Sequence, residues 1–149
     1  MTRILLAVND SPAGLAAART ALRFARASRG TVLAVHVLAA DPSSPRAGGP
    51  AGAAAVEHDR AAATSAERAA DALLDYITEL AKESDVPIEA RRLAGRPAQV
   101  ILEQAARWGP DVIVLGRSGV RHVGQPFVGS QVLHVIEFSD VPVLVVPAA

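Results

Sequence analysis

Short apolar runs and helical periodicities alternate along this chain. Residues 4–8, 32–38, 112–115 and 143–146 are nearly continuous stretches of Val, Ile, Leu and Ala, the second interrupted by His36. Residues 88–93 instead alternate, reading Ile88, Glu89, Ala90, Arg91, Arg92, Leu93. Continuous apolar runs of this length belong to parallel strands covered on both faces, and an alternating run to a wetter position. The pattern predicts an α/β domain with a single open five-stranded parallel sheet, helices on both faces and the third strand at an edge.

Four helical stretches separate the runs. The first opens at Ser11 or Pro12, with proline suited to the first turn, and reaches about Ser28, with Gly30 to end it. The second spans about Val56 to Glu83, where Leu73, Leu74, Ile77 and Leu80 recur at helical spacing. Pro97 opens a third, which supplies Val100, Ile101, Leu102 and Ala105 as apolar contacts and stops at Gly109-Pro110. The fourth covers about Ser130 to Phe138. Residues 41–55 are rich in Pro, Gly, Ser and Ala without periodicity, which predicts a flexible loop, with a ligand-responsive lid as the other reading.

With 149 residues the chain has the length of one domain, and the whole of 1–149 is read as one. Lys plus Arg balance Asp plus Glu at 15 each, so no overall field draws in nucleic acid or an acidic membrane surface. The absence of cysteine removes disulfides, thiolate metal sites and cysteine nucleophiles, and fits a reducing compartment. Neither a signal-type leader nor an apolar stretch of about 18 residues occurs, so a cytoplasmic location is expected.

Candidate chemistry concentrates after the fourth run. There the chain reads Gly116-Arg117-Ser118-Gly119, then nine residues, then Gly129-Ser130. Glycines between a strand and a helix let backbone N–H groups turn inward around an anion, and the helix start adds unpaired N–H groups. Ser130 can serve as helix N-cap and offer a hydroxyl to phosphate. Arg117, Arg121 and His122 are secondary candidates for meeting phosphate charge. Neither a Walker A loop nor a strand followed by G-x-G-x-x-G is present, which excludes the two commonest phosphate motifs.

The spacing G-x2-G-x9-G-S, following Asp111-Val112-Ile113-Val114-Leu115, resembles the ATP-binding signature of the universal stress protein family. Asn9-Asp10-Ser11-Pro12 after the first run, His36-Val37, the Gly95-Arg96-Pro97 turn and the ending Val141-Pro142-Val143-Leu144-Val145-Val146 extend the resemblance over most of the chain. It implies an adenine nucleotide alpha hydrolase-like sheet ordered 3-2-1-4-5, with the ligand where neighbouring strands one and four send their connections to opposite faces. Carried over by position, Ala7, Asn9 and Val37 would surround adenine, and Gly116, Arg117, Gly119, Gly129 and Ser130 would hold ribose and phosphates. The chain departs from the family where Asn9 stands for a usual aspartate, which loses a charge while keeping an acceptor and adding donors. Gln131 and Val132 likewise replace smaller residues. Gln131 stays in the candidate set, with one phosphate contact expected to be missing.

The implied function is ATP-linked regulation in stress responses, with ATP or another adenine nucleotide as ligand, magnesium as its optional companion, and weak or no hydrolysis. Two alternatives stay open: a slow ATPase, and a nucleotide-free dimer acting through its surface. The final run predicts an edge strand from Val141 to Pro147, which pairs with its copy in a homodimer, since Pro142 and Pro147 suit strand ends and edges. Other conspicuous residues are read structurally. His36 is a packed histidine bonded to backbone, His134 and Glu137 form a solvated surface pair, and Trp108 is a packing residue. Asp10-Ser11 serves as helix cap or metal-orienting pair.

Overall fold

The computed structural model describes residues 1–39, 52–117 and 129–148. In chain order the elements are β1 Arg3–Ala7, α1 Pro12–Ser28, β2 Thr31–Ala39, α2 Gly52–Glu83, β3 Ile88–Gly95, α3 Pro97–Trp108, β4 Val112–Gly116, α4 Ser130–Phe138 and β5 Val143–Val146. All strand pairs are parallel and the sheet runs β3-β2-β1-β4-β5, so β3 and β5 are its edges. Fold class, strand order and the edge position of β3 match the sequence reading.

Strand alternation divides the core into two layers. Ile4, Leu6, Val32, Ala34 and Val114 pack against α1 and α2, whereas Leu5, Leu33, Val35, Ile113 and Leu115 pack against α3 and α4. Each central strand thus buries side chains on both faces, which is why these runs carry so few polar residues. At the β3 edge consecutive arginines reach opposite layers. Arg92 bonds Asp71 of α2 at 3.2 Å, and Arg91 bonds Oε1 of the buried Gln104 on α3 at 2.8 Å.

Helix boundaries follow local chemistry. Ser11 is the N-cap of α1, its hydroxyl accepting from the Gly14 amide at 3.0 Å, and Pro12 occupies the first turn. The helix ends with Arg29 in the left-handed region at φ 52°, while the Gly30 amide bonds Ala25 O at 2.8 Å. Gly30 was expected to end the helix, and the left-handed residue is Arg29 before it. The smallness of Gly30 serves another purpose, since a Cβ there would lie 2.2 Å from Thr2 O. Gly109 ends α3 in the left-handed conformation at φ 68°.

Several boundaries differ from the pattern: β2, β3 and β4 run one or two residues beyond the apolar runs, and β3 ends at Gly95. β1 stops at Ala7 rather than Val8. α2 begins at Gly52, so residues 52–55 are helical although composition placed them in the loop; three of them are alanine, the strongest helix former. The rest of that loop call, 41–51, lies outside the described residues. At α4 the N-cap is Gly129, not Ser130, and no side chain caps it.

α1 sits low on the sheet because it buries small residues: Ala13, Gly14, Ala16, Ala17, Ala18 and Ala21. Its first turn meets two other backbones. A Cβ on Gly116 would fall 2.5 Å from the Ala13 carbonyl carbon, and a Cβ on Gly14 would fall 2.2 Å from Asn9 Oδ1 and 2.4 Å from Asn9 O. Backbone cannot yield as a flexible side chain can, so either site is overpacked by one methyl group. Gly14→Ala and Gly116→Ala are each expected to destabilise the fold by about 1–3 kcal/mol. Thermal denaturation should show a Tm lower by roughly 2–4 °C per kcal/mol for a chain of this size; unchanged melting would contradict the close approach.

Candidate functional site

β1 and β4 lie side by side, but the chain leaves β1 for α1 on one face and β4 toward α4 on the other. That divergence opens a crevice beyond their carboxyl ends, the usual ligand position in an open parallel sheet. The crevice has a volume of about 220 Å³. Ala7, Asn9, Val37, Gly116 and Gln131, all predicted from sequence, line it together with Val8, Val35, His36, Pro97, Ile101, Leu115 and Val132. Its depth is apolar and buried (Val35, Ile101, Leu115, Val132), whereas Asn9 and Gln131 are exposed at its rim.

Other predicted residues stand differently. Arg117, Gly129 and Ser130 are not part of the crevice lining. The Arg117 amide donates to Val146 O at 2.7 Å, so this N–H belongs to the sheet rather than to an anion nest. Gly116 lines the crevice, but its missing Cβ is the gap filled by α1. Gly129 has φ −68° and ψ 159°, an extended conformation open to any residue. Gly119, with Ser118, Arg121 and His122, lies outside the described residues.

The polar groups of the rim are locally fixed. The Gly14 amide donates to Ser11 Oγ, whose hydroxyl donates to Asn9 Oδ1, and the Ser11 amide donates to the same oxygen at 3.1 Å. Asn9 is thereby held by the N-terminal turn of α1. His36 Nδ1 lies 2.7 Å from Val8 O, and because a carbonyl only accepts, Nδ1 carries the proton. This is the backbone-bonded histidine predicted from sequence. It also marks where the β1–β2 ladder ends. Val8 N bonds Val35 O at 3.0 Å, and the Val37 amide would next bond Val8 O, but the imidazole holds that carbonyl. Main-chain groups of alternate residues point the same way, so those of Val37 face past the end of β1 over the crevice.

Gln131 has a role that sequence reasoning missed. Its Oε1 accepts from the Ala98 amide at 3.0 Å, in the first turn of α3, whose own N-cap Arg96 makes no side-chain bond. Gln131 therefore caps α3 from α4. The wall contributed by α3, Pro97 and Ile101, was also unassigned. Its signal was the Gly95-Arg96-Pro97 turn, where Gly95 at φ 140° redirects the chain from β3 into the helix over the crevice.

Among the described residues lining the crevice, His36 is the one ionisable side chain. No group of three or more His, Asp or Glu is placed to hold a metal ion among the described residues. His134 stacks on Phe138 with ring centroids 4.7 Å apart, where a pairing with Glu137 was expected. Trp108 packs in the second core layer as predicted, and the Arg3 guanidinium lies 4.2 Å from its ring centroid.

A parallel sheet covered on both faces, with an apolar crevice at its switch point, is an open α/β architecture. The chain belongs to the universal stress protein family, whose model matches residues 1–147. It is 43% identical over 58 residues to the "universal stress protein in QAH/OAS sulfhydrylase 3′ region" of Thermus aquaticus, a match spanning 39% of this chain and 42% of that relative. The fold is shared with a universal stress protein family protein from Arabidopsis thaliana with AMP bound, at TM-score 0.68 and 21% identity over 100% of this chain and 93% of that one. It is shared equally with the universal stress protein from Archaeoglobus fulgidus in complex with dAMP, at TM-score 0.69 and 19% identity over 98% of both chains.

The geometry separates two neighbouring residues of α4. Gln131→Ala uncaps α3 and is expected to cost about 1 kcal/mol. Ser130→Ala removes a first-turn hydroxyl that caps nothing and should stay within about 0.5 kcal/mol of the parent. Urea unfolding of both variants checks the assignment; equal losses would contradict the assignment of the cap to Gln131 alone.

Proposed function

We propose that the chain is a nucleotide-binding regulatory protein that holds an adenine nucleotide in the switch-point crevice. The observation that carries this reading is an apolar slot between β1, β4 and α3 that meets the unpaired edge of β2 at Val37 and has a polar rim. A planar base fits the slot, and the Val37 main chain can read its edge. The AMP and dAMP held by the Arabidopsis and Archaeoglobus proteins support the ligand class. Within that class ATP is the specific proposal, from the G-x2-G-x9-G-S spacing. Gly119, Gly129 and Ser130 then act on the phosphates. A magnesium ion would be carried mainly by the nucleotide's own phosphates, with Asp10 beside the rim as an available carboxylate.

The working form proposed is a homodimer through the β5 edge, from Val141 to Pro147. β5 is a terminal strand of the sheet, and α4, packed on the same core layer as Val143 and Val145, exposes Leu133, Ile136 and Phe138. Pairing would cover an apolar edge that is otherwise an aggregation hazard. No helix among the described residues is long and apolar enough to cross a membrane. A cytoplasmic location is part of the proposal.

Calorimetric titration with ATP, ADP and AMP, with and without magnesium, tests the reading. Binding by the parent is expected in the micromolar range. Gly129→Val, whose backbone angles a valine can adopt, should remain folded and lose at least tenfold in ATP affinity, about 1.4 kcal/mol; Gly119→Val should do the same. Absence of binding by the parent overturns the nucleotide reading and leaves the surface-acting dimer. Sedimentation should show a dimer at micromolar concentration, and a monomer there would overturn pairing through β5.

A further inference from the structure

α1 carries an unbalanced charge. Between Pro12 and Ser28 it contains Arg19, Arg23 and Arg26 and no aspartate or glutamate. All three arginines are exposed, and their spacing of i, i+4 and i+7 sets them in one row about 10 Å long on one side of the helix. On β3 the arginines are answered, Arg91 by Glu89 and Gln104, and Arg92 by Glu67 and Asp71. On α2, Glu79 is held by Lys82, and no acid among the described residues lies within ion-pair distance of Arg19, Arg23 or Arg26. Like charges at i, i+3 and i, i+4 oppose one another, so the row costs α1 stability and returns nothing within the described chain.

The row borders a groove. Arg19, Arg23 and Arg26 stand along a cavity of about 290 Å³ between α1 and α2, with Leu22 and Leu80 as its apolar floor and Ser84 at its end. Tyr76, one helical turn before Leu80, is 46% exposed. A channel between two packed helices accepts a third, and an apolar floor beside a cationic row fits a helix with an apolar stripe flanked by acids. A phosphate backbone or an anionic membrane calls for positive charge spread over a wide face. Here acids and bases balance at 15 each, and the row is confined to one helix. The rest of the chain does not supply the acids, since residues 40–51 and 118–128 contain one between them, Asp41.

We propose that the groove between α1 and α2 docks an acidic amphipathic helix of a partner protein. Its apolar side chains lie over Leu22 and Leu80, and its carboxylates pair with Arg19, Arg23 and Arg26. Arginine can meet a carboxylate through two parallel N–H bonds, and arginine and tyrosine are residues on which interface affinity concentrates. Leu22 and Leu80 belong to the α1–α2 core layer, whereas the floor of the crevice belongs to the α3–α4 layer. Partner and crevice ligand therefore occupy opposite sides of the sheet, and this inference does not depend on what the crevice holds.

The probe is a fluorescein-labelled helical peptide of about 15 residues with glutamates at i, i+4 and i+7 and leucines on the adjoining side. Fluorescence anisotropy at about 0.1 M salt should show binding by the full chain. Replacing Arg19→Gln, Arg23→Gln and Arg26→Gln together should weaken it at least tenfold. Arg107→Gln, an exposed arginine of α3, should change it by less than about twofold. The triple variant should melt close to the parent temperature, because its substitutions are exposed and relieve like-charge opposition. A probe with serine in place of leucine should also bind at least tenfold more weakly, a loss that charge alone does not produce. No binding by the parent, equal binding by the triple variant, or equal binding of the serine probe overturns the proposal. Tighter association of the parent with phosphatidylserine vesicles than with the peptide would overturn it in favour of a membrane contact. A smaller sedimenting species in the triple variant would overturn it in favour of a second copy of this chain.

Discussion

The architecture of the site depends on how closely the first turn of α1 approaches the ends of β1 and β4. Gly14 lies against Asn9 and Gly116 lies against Ala13, each at a distance that leaves no room for a methyl group. Two strands that diverge to opposite faces could be separated by a wide cleft. Here the alanine-rich face of α1 draws the helix down until backbone meets backbone, so the crevice is closed on the α1 side. Close packing makes that contact stiff. Residues far apart in sequence, Asn9 and Gly116, are placed within one cavity by it.

Against this fixed wall, the opposite side is assembled from two helices that need each other. α3 begins without a side-chain cap of its own, and α4 begins at a glycine. Gln131 spans the gap by bonding Ala98, and Val132, Pro97 and Ile101 bring the apolar wall with it. Any ligand that displaced Gln131 would leave an amide of α3 unpaired, whereas one that accepts from its free NH₂ leaves the cap intact. The same geometry therefore favours contact with Gln131 over displacement of it.

Much of the fold could be read from periodicity, because buried parallel strands and amphipathic helices leave strong apolar patterns. The four central and terminal runs, the edge character of β3 and the ends of α1, α3 and α4 fall where the residues indicate. Start positions were less legible where competing chemistry was weak: alanines at 53–55 extend α2 although composition reads as loop. The site was only half legible. Ala7, Asn9, Val37, Gly116 and Gln131 line one crevice, but the reasons for Gly116 and Gln131 are long-range. No local pattern states that Gly116 makes room for Ala13, or that Gln131 will meet Ala98 across 33 positions. Pro97 and Ile101 were recognised as helix and core residues for the same reason: sequence shows a side chain's periodicity before it shows which cavity that side chain bounds.

Charge at the site follows from the same economy of groups. A chain with equal numbers of acids and bases has no general attraction for anions, and the crevice contains no lysine or arginine to create a local one among its described lining. In the nucleotide-binding reading proposed above, the described lining would meet an anionic ligand through oriented N–H dipoles. These are effective only if held in place beforehand, since a freely turning amide presents its oxygen as readily as its nitrogen. The Ser11 bonds and the Ala98 bond remove that ambiguity, so the hydrogen bonds that cap α1 and α3 also fix which way each side-chain amide is turned.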